Sequence, residues 1–304
     1  METEFTDIVA LILNYNSSNL TISCVDQLLM LSKELKILIV DNHSTDQSCQ
    51  SIISKYVNIN QVVVIQTPKN LGYAKGNNYG LCYIRKEWID VKYVMLLNPD
   101  IIVKEREIIL NIKNFLNEND AYSIASTQII FNNAWRGFKD FAWKLPTKKQ
   151  LMWAGTFFGK VLLKEINNCY SEIYLNNNIA DVDAVPGCFF VAKIKDLETV
   201  GDFDDRTFLY FEETILASKL KNINKKEAVL IDQYVLHNHR TKDKSLANYK
   251  TKLFDRKCFY ESKMVYVNNY SGEKGVFIIL CRIVNYFDFA LKKMIYGLAS
   301  ILQR

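Results

Sequence analysis

The chain has 304 residues, 49% of them hydrophobic and 23% charged, and its 38 Lys+Arg against 33 Asp+Glu leave a formal charge of +5. That composition excludes a disordered or collagen-like chain, and so mild a basic excess is not the profile of a nucleic-acid-binding protein. The length suits one large α/β domain or two closely joined lobes, because single cores stop growing at roughly 250–300 residues.

Seven cysteines (Cys24, Cys49, Cys82, Cys169, Cys188, Cys258, Cys281) form no C-x-x-C pair and no Cys/His cluster with zinc-ligand spacing. An odd number cannot pair completely within one chain, which predicts a reducing compartment. The segment Met1–Asp7 is acidic and lacks the basic and apolar regions of a signal peptide, so the expectation is a cytoplasmic chain that is not exported. Its N-x-S/T sequons at Asn16, Asn19, Asn42 and Asn269 are then idle. No apolar run approaches the ~18 residues that span a bilayer. The longest, Gly275–Cys281, stops at Arg282.

In chain order, short apolar runs alternate with amphipathic stretches: Ile8–Leu13 then Leu20–Leu31, Ile37–Val40 then Asp46–Tyr56, Val62–Ile65 then Ala74–Trp88, and finally Tyr93–Leu97. Apolar runs of this length separated by helix-length segments predict strands buried on both faces and joined by crossover helices. The fold class is therefore α/β, a doubly wound, mostly parallel sheet with helices on both faces. Ser44-Thr-Asp-Gln47 has the Ser-x-x-Gln pattern of a capping box ahead of the second helix. Residues 1–105 form the nucleotide-binding half.

Over 106–245 the alternation loosens. A helix is expected at Lys104–Leu116, strands at Ser123–Phe131 and Phe189–Ala192, and a polar, Asn-rich stretch at 132–178 that folds over the sheet edge. Residues 246–304 read as a helical extension in which Ile283, Phe287, Leu291, Met294, Leu298 and Ile301 hold helical spacing beside Lys292, Lys293 and Arg304. Two readings of that segment stand: helices packed on the core or in a homodimer interface, and an interfacial helix touching anionic lipid.

Ligands of open α/β sheets bind beyond the carboxyl ends of the strands, so the polar residues after each apolar run are the candidates. They are Asn14-Tyr-Asn16, Asp41-Asn-His43, Thr67-Pro-Lys-Asn70-Leu-Gly72 and Asn98-Pro99-Asp100. Each alone is ordinary turn chemistry. Four on one edge make a site. Pro99 lacks an N–H, ends the ladder and fixes how Asp100 leaves the strand, and a lone carboxylate beside a diphosphate matches how hard divalent cations are held. Gly72, Gly76 and Asn77 open a helix where backbone could approach a phosphate or sugar. Neither G-x-G-x-x-G nor a P-loop is present, so a dinucleotide fold and a P-loop NTPase are unsupported. Further on, Glu212 and Glu213 end an aromatic run and open a helix at 214–221. Acids in a first helical turn have a purely structural use, and a general base at the mouth of an apolar pocket is the functional one.

These blocks, in this order, resemble the inverting family-two glycosyltransferases with a GT-A fold, in particular the rhamnosyltransferase-like branch that builds bacterial surface polysaccharides. The resemblance spans roughly 8–245 and rests on Leu13–Asn16, Ile39–Asp46, Pro68–Asn78, Leu96–Asp100, Val182–Gly187 and Val200–Glu213. Three of the four prolines (Pro68, Pro99, Pro186) fall inside those blocks. It implies that Asn14, Asn16 and Asp41 line the nucleoside pocket, that Asn70, Gly72, Asn77 and Asn98 lie nearer the phosphates and sugar, and that Asp183 and Gly187 serve the acceptor. Asp100 would bind Mg2+ or Mn2+, with His239, or alternatively His237, as the late histidine of the family. Glu213, or Glu212 beside it, would be the base. The partners implied are a dTDP- or UDP-linked sugar and a glycan or polyprenyl-diphosphate-linked acceptor, with no nucleic acid. Where the family pattern carries an acid and an arginine after the glutamate pair, this chain has Ile215 and, near the arginine position, Lys219. That departure motivates a second reading, a degenerate transferase acting as a binding scaffold. A sugar-phosphate nucleotidyltransferase is a third, for which the first loop lacks the Gly-rich basic sequence.

Overall fold

The computed structural model describes residues 4–132, 134, 137, 141–161, 170, 175–176, 178–238 and 249–302, without the side chains of 160–161, 175–176 and 298–302. Strands β1 (Ile8–Asn14), β2 (Lys36–Asp41), β3 (Val62–Gln66) and β4 (Tyr93–Leu97) lie in the order β3-β2-β1-β4 and pair in parallel. Helices α1 (Ser18–Leu31), α2 (Ser48–Tyr56) and α3 (Gly72–Glu87) make the crossovers. All of β4 and all but one residue of β1 and of β2 are buried, which is why these strands read as unbroken apolar runs and not as alternating ones.

The second half is mixed. Helix α4 (Arg106–Glu118) follows the short β5 (Ile101–Ile102) and precedes β6 (Tyr122–Phe131). Beyond β7 (Leu175–Asn176) and β8 (Ile179–Val182), β9 (Phe189–Lys193) inserts antiparallel between β4 and β6, and β10 (Lys226–His237) pairs in parallel with β6. The sheet order continues β9-β6-β10-β8-β7, and β5 pairs antiparallel with the end of β10. The sequence reading lacks β10. Its register with β6 shifts between Leu230 and Tyr234, where Asp232 and Gln233 interrupt the apolar run. The predicted capping box is also corrected. Helix α2 starts at Ser48 behind Gln47, which makes no side-chain cap, while the Ser44 hydroxyl donates to Asp41 Oδ1 at 2.6 Å. A buried carboxylate offers that hydroxyl a stronger acceptor than a helix end open to water.

Helix α3 lies close on the sheet because Gly72, Gly76 and Gly80 recur every fourth residue along one face. A Cβ at Gly76 or Gly80 would meet Leu13 or Leu11 of β1 below 3.0 Å. Gly72 carries a second constraint: its φ is +77°, and a Cβ there would run into the Phe208 backbone, whose carbonyl accepts the Tyr73 N–H at 2.8 Å. Asn78 holds the Phe203 backbone through both its amide groups, and Arg85 forms a two-pronged pair with Asp202 at 2.9 and 2.6 Å. The helix is thus strapped to the 202–208 segment. Helices α5 (Lys148–Trp153), α6 (Phe157–Val161), α7 (Ile194–Thr199) and α8 (Glu212–Asn222) follow, and α9 (Tyr249–Asn269) and α10 (Val276–Leu302) end the chain. A second, smaller core joins these last helices to α5 and α8 through Leu151, Ile215, Tyr266, Val267, Phe277 and Cys281.

Gly72→Ala should cost about 1–3 kcal/mol, since it adds both a left-handed non-glycine residue and a backbone collision. Urea unfolding should show a lowered midpoint with an unchanged slope, and an unchanged midpoint would remove the strap from this account.

Candidate active site

Strand register brings the polar ends together. Asn14 of β1 pairs with Asp41 of β2, and Asp41 with Gln66 of β3, so three polar residues end level on one edge. Asp41 accepts four hydrogen bonds there: from Asn14 Nδ2 at 2.7 Å, Ser44 Oγ at 2.6 Å, the Ser44 N–H at 2.9 Å and Gln66 Nε2 at 3.0 Å. Burial alone would raise its carboxyl, but the bonds from Ser44, Gln66 and Asn14 outweigh that and hold it below the ordinary aspartate value. Asn14 Oδ1 in turn accepts from Thr21 at 2.7 Å.

Asn42 joins this edge to the next loop. Its amide donates to Asn70 Oδ1 at 3.2 Å and the Gly72 carbonyl at 3.0 Å, and its oxygen accepts from the Leu71 N–H at 2.9 Å. Asn16 does the same across the neighbouring gap, accepting from the Thr45 N–H at 2.7 Å and donating to Thr45 Oγ1 at 3.0 Å.

The expected donor residues therefore share one edge, but they do not all face solvent. Asn14 and Asp41 are 0% exposed and Asn77 2%, the last donating to the Tyr73 carbonyl one turn back in its own helix. They shape the loops that carry Asn16, Ser44 and Asn70. The sequence reading included Asn42 in its strand-end set without giving it a role, read Ser44 as a helix cap, and passed over Gln66 and Tyr73. The signal for the first two was their position, since Asn42 directly follows Asp41 at the strand end and Ser44 lies two residues further on.

Asn98-Pro99-Asp100 turns off the end of β4 as expected, and its neighbour is His237. The His237 Nε2 lies 3.0 Å from Asp100 Oδ1, because β5, directly after the turn, pairs Ile101 with His237. The Asn238 N–H donates to the Asp100 carbonyl at 3.0 Å, and the His237 ring packs on Phe131 with centroids 4.6 Å apart. Of the two candidate histidines, His239 lies outside the described residues. Among the described residues no cluster of three metal-ligating side chains occurs, and the Asp100–His237 pair is what this edge offers a cation.

Next to that turn opens a cleft of about 500 Å³ lined by Asn98, Trp143, Gly187, Tyr210, Glu213 and Phe259, among others. Glu212 and Glu213 begin α8 as expected. They are preceded by two non-glycine residues in the left-handed region, Tyr210 (φ 75°) and Phe211 (φ 66°), an arrangement that turns the chain sharply and aims consecutive glutamates differently. Glu212 is 3% exposed, and its Oε1 has no hydrogen-bond partner among the described residues. Glu213 is half-buried, and its Oε1 accepts the Gly187 N–H at 2.9 Å.

The Gly187 carbonyl accepts from Tyr73 Oη at 2.5 Å, and the Cys188 carbonyl accepts the Asn98 N–H at 2.8 Å. Burial raises both glutamates, Glu212 furthest because the charge of Glu213 adds to it, while the N–H groups on Glu213 partly offset the effect there. Burial, then Glu213 and Glu212, raise Tyr73 as well. Gly187 thus lies in the cleft as expected. Asp183 does not: it accepts the Leu145 N–H at 2.9 Å and so fixes the 141–146 segment from behind. Glu227 of β10, which the sequence reading did not single out, is buried and accepts the Val185 N–H at 2.8 Å, supporting the same turn from below.

Comparison with known proteins bears on the fold and the family. Over 240 residues the chain is 22% identical to the low-salt glycan biosynthesis hexosyltransferase Agl10 of Haloferax volcanii, which covers 78% of the chain and 69% of the relative. Over 155 residues it is 26% identical to the rhamnosyltransferase WbbL of Escherichia coli K12, 49% of the chain and 54% of the relative, so it spans about half of that protein. The fold is similar to that of a mannosyltransferase from Pyrobaculum calidifontis solved with GDP-Man and Mn2+, at a TM-score of 0.58 and 12% identity, over 96% of this chain and 73% of that one. Residues 10–165 match the profile described as glycosyl transferase family 2, just over half of the chain, and the protein belongs to that family.

Proposed function

We propose that this glycosyltransferase moves a sugar from a nucleoside diphosphate sugar to a hydroxyl of a glycan or polyprenyl-diphosphate-linked glycan, inverting the anomeric carbon, in the synthesis of a cell-surface polysaccharide. One observation carries the reading. A half-buried carboxylate, Glu213, is fixed by a backbone N–H inside a cleft that also contains Asn98, two residues from Asp100.

The acceptor hydroxyl gives its proton to Glu213 as its oxygen bonds to the anomeric carbon, while the bond from that carbon to the diphosphate oxygen breaks on the opposite face. A single displacement inverts the centre. A base whose affinity for protons has been raised by burial is better matched to neutral pH than an exposed glutamate. Glu212, raised further, stays protonated over a wider range and leaves the charge to its neighbour. Asn16, Ser44 and Asn70 would meet the nucleoside and phosphates on the edge that Asn14 and Asp41 shape. Asp100 and His237 would hold Mg2+ or Mn2+, since a carboxylate and an imidazole suit such an ion when diphosphate oxygens and water complete its shell. The bound ion supplies neutralisation of charge on the departing diphosphate. The mannosyltransferase of similar fold was solved with Mn2+, which supports use of a divalent metal in general. The rhamnosyltransferase relative makes dTDP-rhamnose the first donor to test, with UDP-sugars second. A polyprenyl-linked acceptor places the work at the cytoplasmic face of the membrane.

The scaffold reading rests on Ile215. That residue is fully buried in the second core, where its apolar side chain has a packing role of its own, and Lys219 donates to the Asp202 carbonyl at 2.9 Å. The departures from the family pattern are thus occupied by structure.

Glu213→Gln should lower transfer roughly 10²–10⁴-fold and leave donor binding intact. Because the folded-state pKa of Glu213 is raised above its ordinary 4.5, the folded chain holds more protons across that window and loses stability as pH rises through it. The amide variant should therefore melt no lower than wild type at pH 7. Transfer by wild type should fall as pH drops through an apparent pKa above 4.5; a dead Glu212→Gln with an active Glu213→Gln would move the base by one residue. For the donor edge, thermal shifts with UDP, dTDP, GDP, CDP and ADP should single out one nucleobase and require manganese. Asp100→Ala should abolish that shift, and an undiminished metal-dependent shift in the variant would remove Asp100 from the metal site.

A further inference from the structure

We infer that the outward face of α10 is a docking surface for an anionic lipid bilayer, on which the helix lies without crossing. The inference stands apart from the transferase reading, because binding to a bilayer needs no sugar donor.

Helices on protein surfaces bury their apolar stripe and expose their polar one. In α10 the buried face is apolar at its start, at Phe277 and Cys281, and polar further along, while the exposed face is apolar. Asn285, Asp288 and Lys292 are buried against the body of the protein. Asp288 accepts hydrogen bonds from the Phe157 N–H, the Tyr260 hydroxyl and Lys292, and Lys292 also donates to the Gly155 carbonyl. The opposite face carries Val276, Ile279, Ile283, Tyr286, Phe287 and Met294, each between 44% and 72% exposed. Their spacing of three, four, three, one and seven residues follows the helical repeat along one stripe. The 27-residue helix is about 40 Å long, so the stripe far exceeds the scattered apolar residues of an ordinary water-facing surface. On the neighbouring α6, Phe157 and Phe158 add two rings that are 42% and 50% exposed.

Charge selects the occupant. Between Val276 and Leu302 the acid is Asp288, which is buried, and the exposed charges are Arg282 and Lys293, with Lys274 exposed just before the helix. A second copy meeting this face about a two-fold axis would bring cations toward cations with no acid of α10 exposed to pair them. Anionic headgroups complement them, while the stripe enters the boundary between headgroups and acyl chains. Crossing is excluded for α10 as it stands: no helix among the described residues is long and apolar enough to span a membrane. Insertion would also strip Asp288 and Lys292 of their partners. The placement suits the acceptor cleft, because Gln150 and Ala154, which line it, belong to the segment on which α10 packs.

The test is co-flotation of the full chain with vesicles of phosphatidylcholine alone and of phosphatidylcholine mixed with phosphatidylglycerol. Wild type should float with the anionic vesicles and dissociate in part at high salt. Ile283→Glu with Phe287→Glu, at exposed positions that leave the core intact, should abolish flotation with an unchanged melting temperature. Arg282→Glu with Lys293→Glu should lower the bound fraction by about tenfold or more. Wild type remaining in the dense fraction at low salt would overturn the inference, as would undiminished flotation of the Ile283→Glu, Phe287→Glu protein. So would a dimer, measured by sedimentation equilibrium without vesicles, that this double variant dissociates, since the face would then belong to a second copy.

Discussion

The arrangement of the site hangs on one peptide unit. Gly187 gives its N–H to the Glu213 carboxylate and receives the Tyr73 hydroxyl on its carbonyl, and the next carbonyl, Cys188, takes the N–H of Asn98. Three elements from distant parts of the chain meet there: the first turns of α8 and α3, and the end of β4. A Cβ at residue 187 would lie below 3.0 Å from both Glu213 Oε1 and Tyr73 Oη, so any other residue there would push both groups from their places. The carboxylate is placed by backbone, which is stiffer than any rotamer, and Glu227 and Asp183 brace the flanking segments from the far side.

The two sides of the site are built by different physics. On the donor edge, buried amides and hydroxyls are matched to one another, so the loops are held in shape before any ligand arrives. Buried polar groups tolerate this because nearly all of them are satisfied. Around the cleft the walls are aromatic, with Trp143, Tyr210 and Phe259 about a carboxylate, an environment that raises proton affinity. The family profile ends at residue 165, so it covers the donor edge and stops short of Gly187 and Glu213.

The donor half was also the more legible half in the sequence. Its strands β1, β2 and β4 are buried on both faces and spaced by helices, and a polar residue ends or directly follows each of β1 to β4, so both the fold and the site edge follow from pattern. What pattern could not show is which of those polar groups face inward. Asn14 and Asp41 lie beneath the edge because Ser44, Gln66 and Thr21 complete them and they bond each other, and the Asn14–Asp41 and Gln66–Asp41 bonds join residues 27 and 25 apart in the chain. Asp41, three residues back and buried, drew the Ser44 hydroxyl away from the helix cap that the Ser-x-x-Gln pattern suggested. Strand β10 escaped detection because its bulge breaks the apolar run, and the Asp100–His237 proximity depends on that strand. Local spacing carries no information about it.

The pair of left-handed residues ahead of α8 has a mechanical consequence. Tyr210 and Phe211 hold a conformation that a non-glycine residue adopts only when its surroundings insist, and those surroundings include Phe259 and Tyr266 of α9 packed edge-on or tilted against their rings. Ile215, one turn into α8, shares a core with Phe277 and Cys281 of α10. The two terminal helices are thus a clamp on the glutamate pair. The last two helices therefore share in holding the turn that aims the two glutamates, and the end of the chain is built into the wall of the cleft.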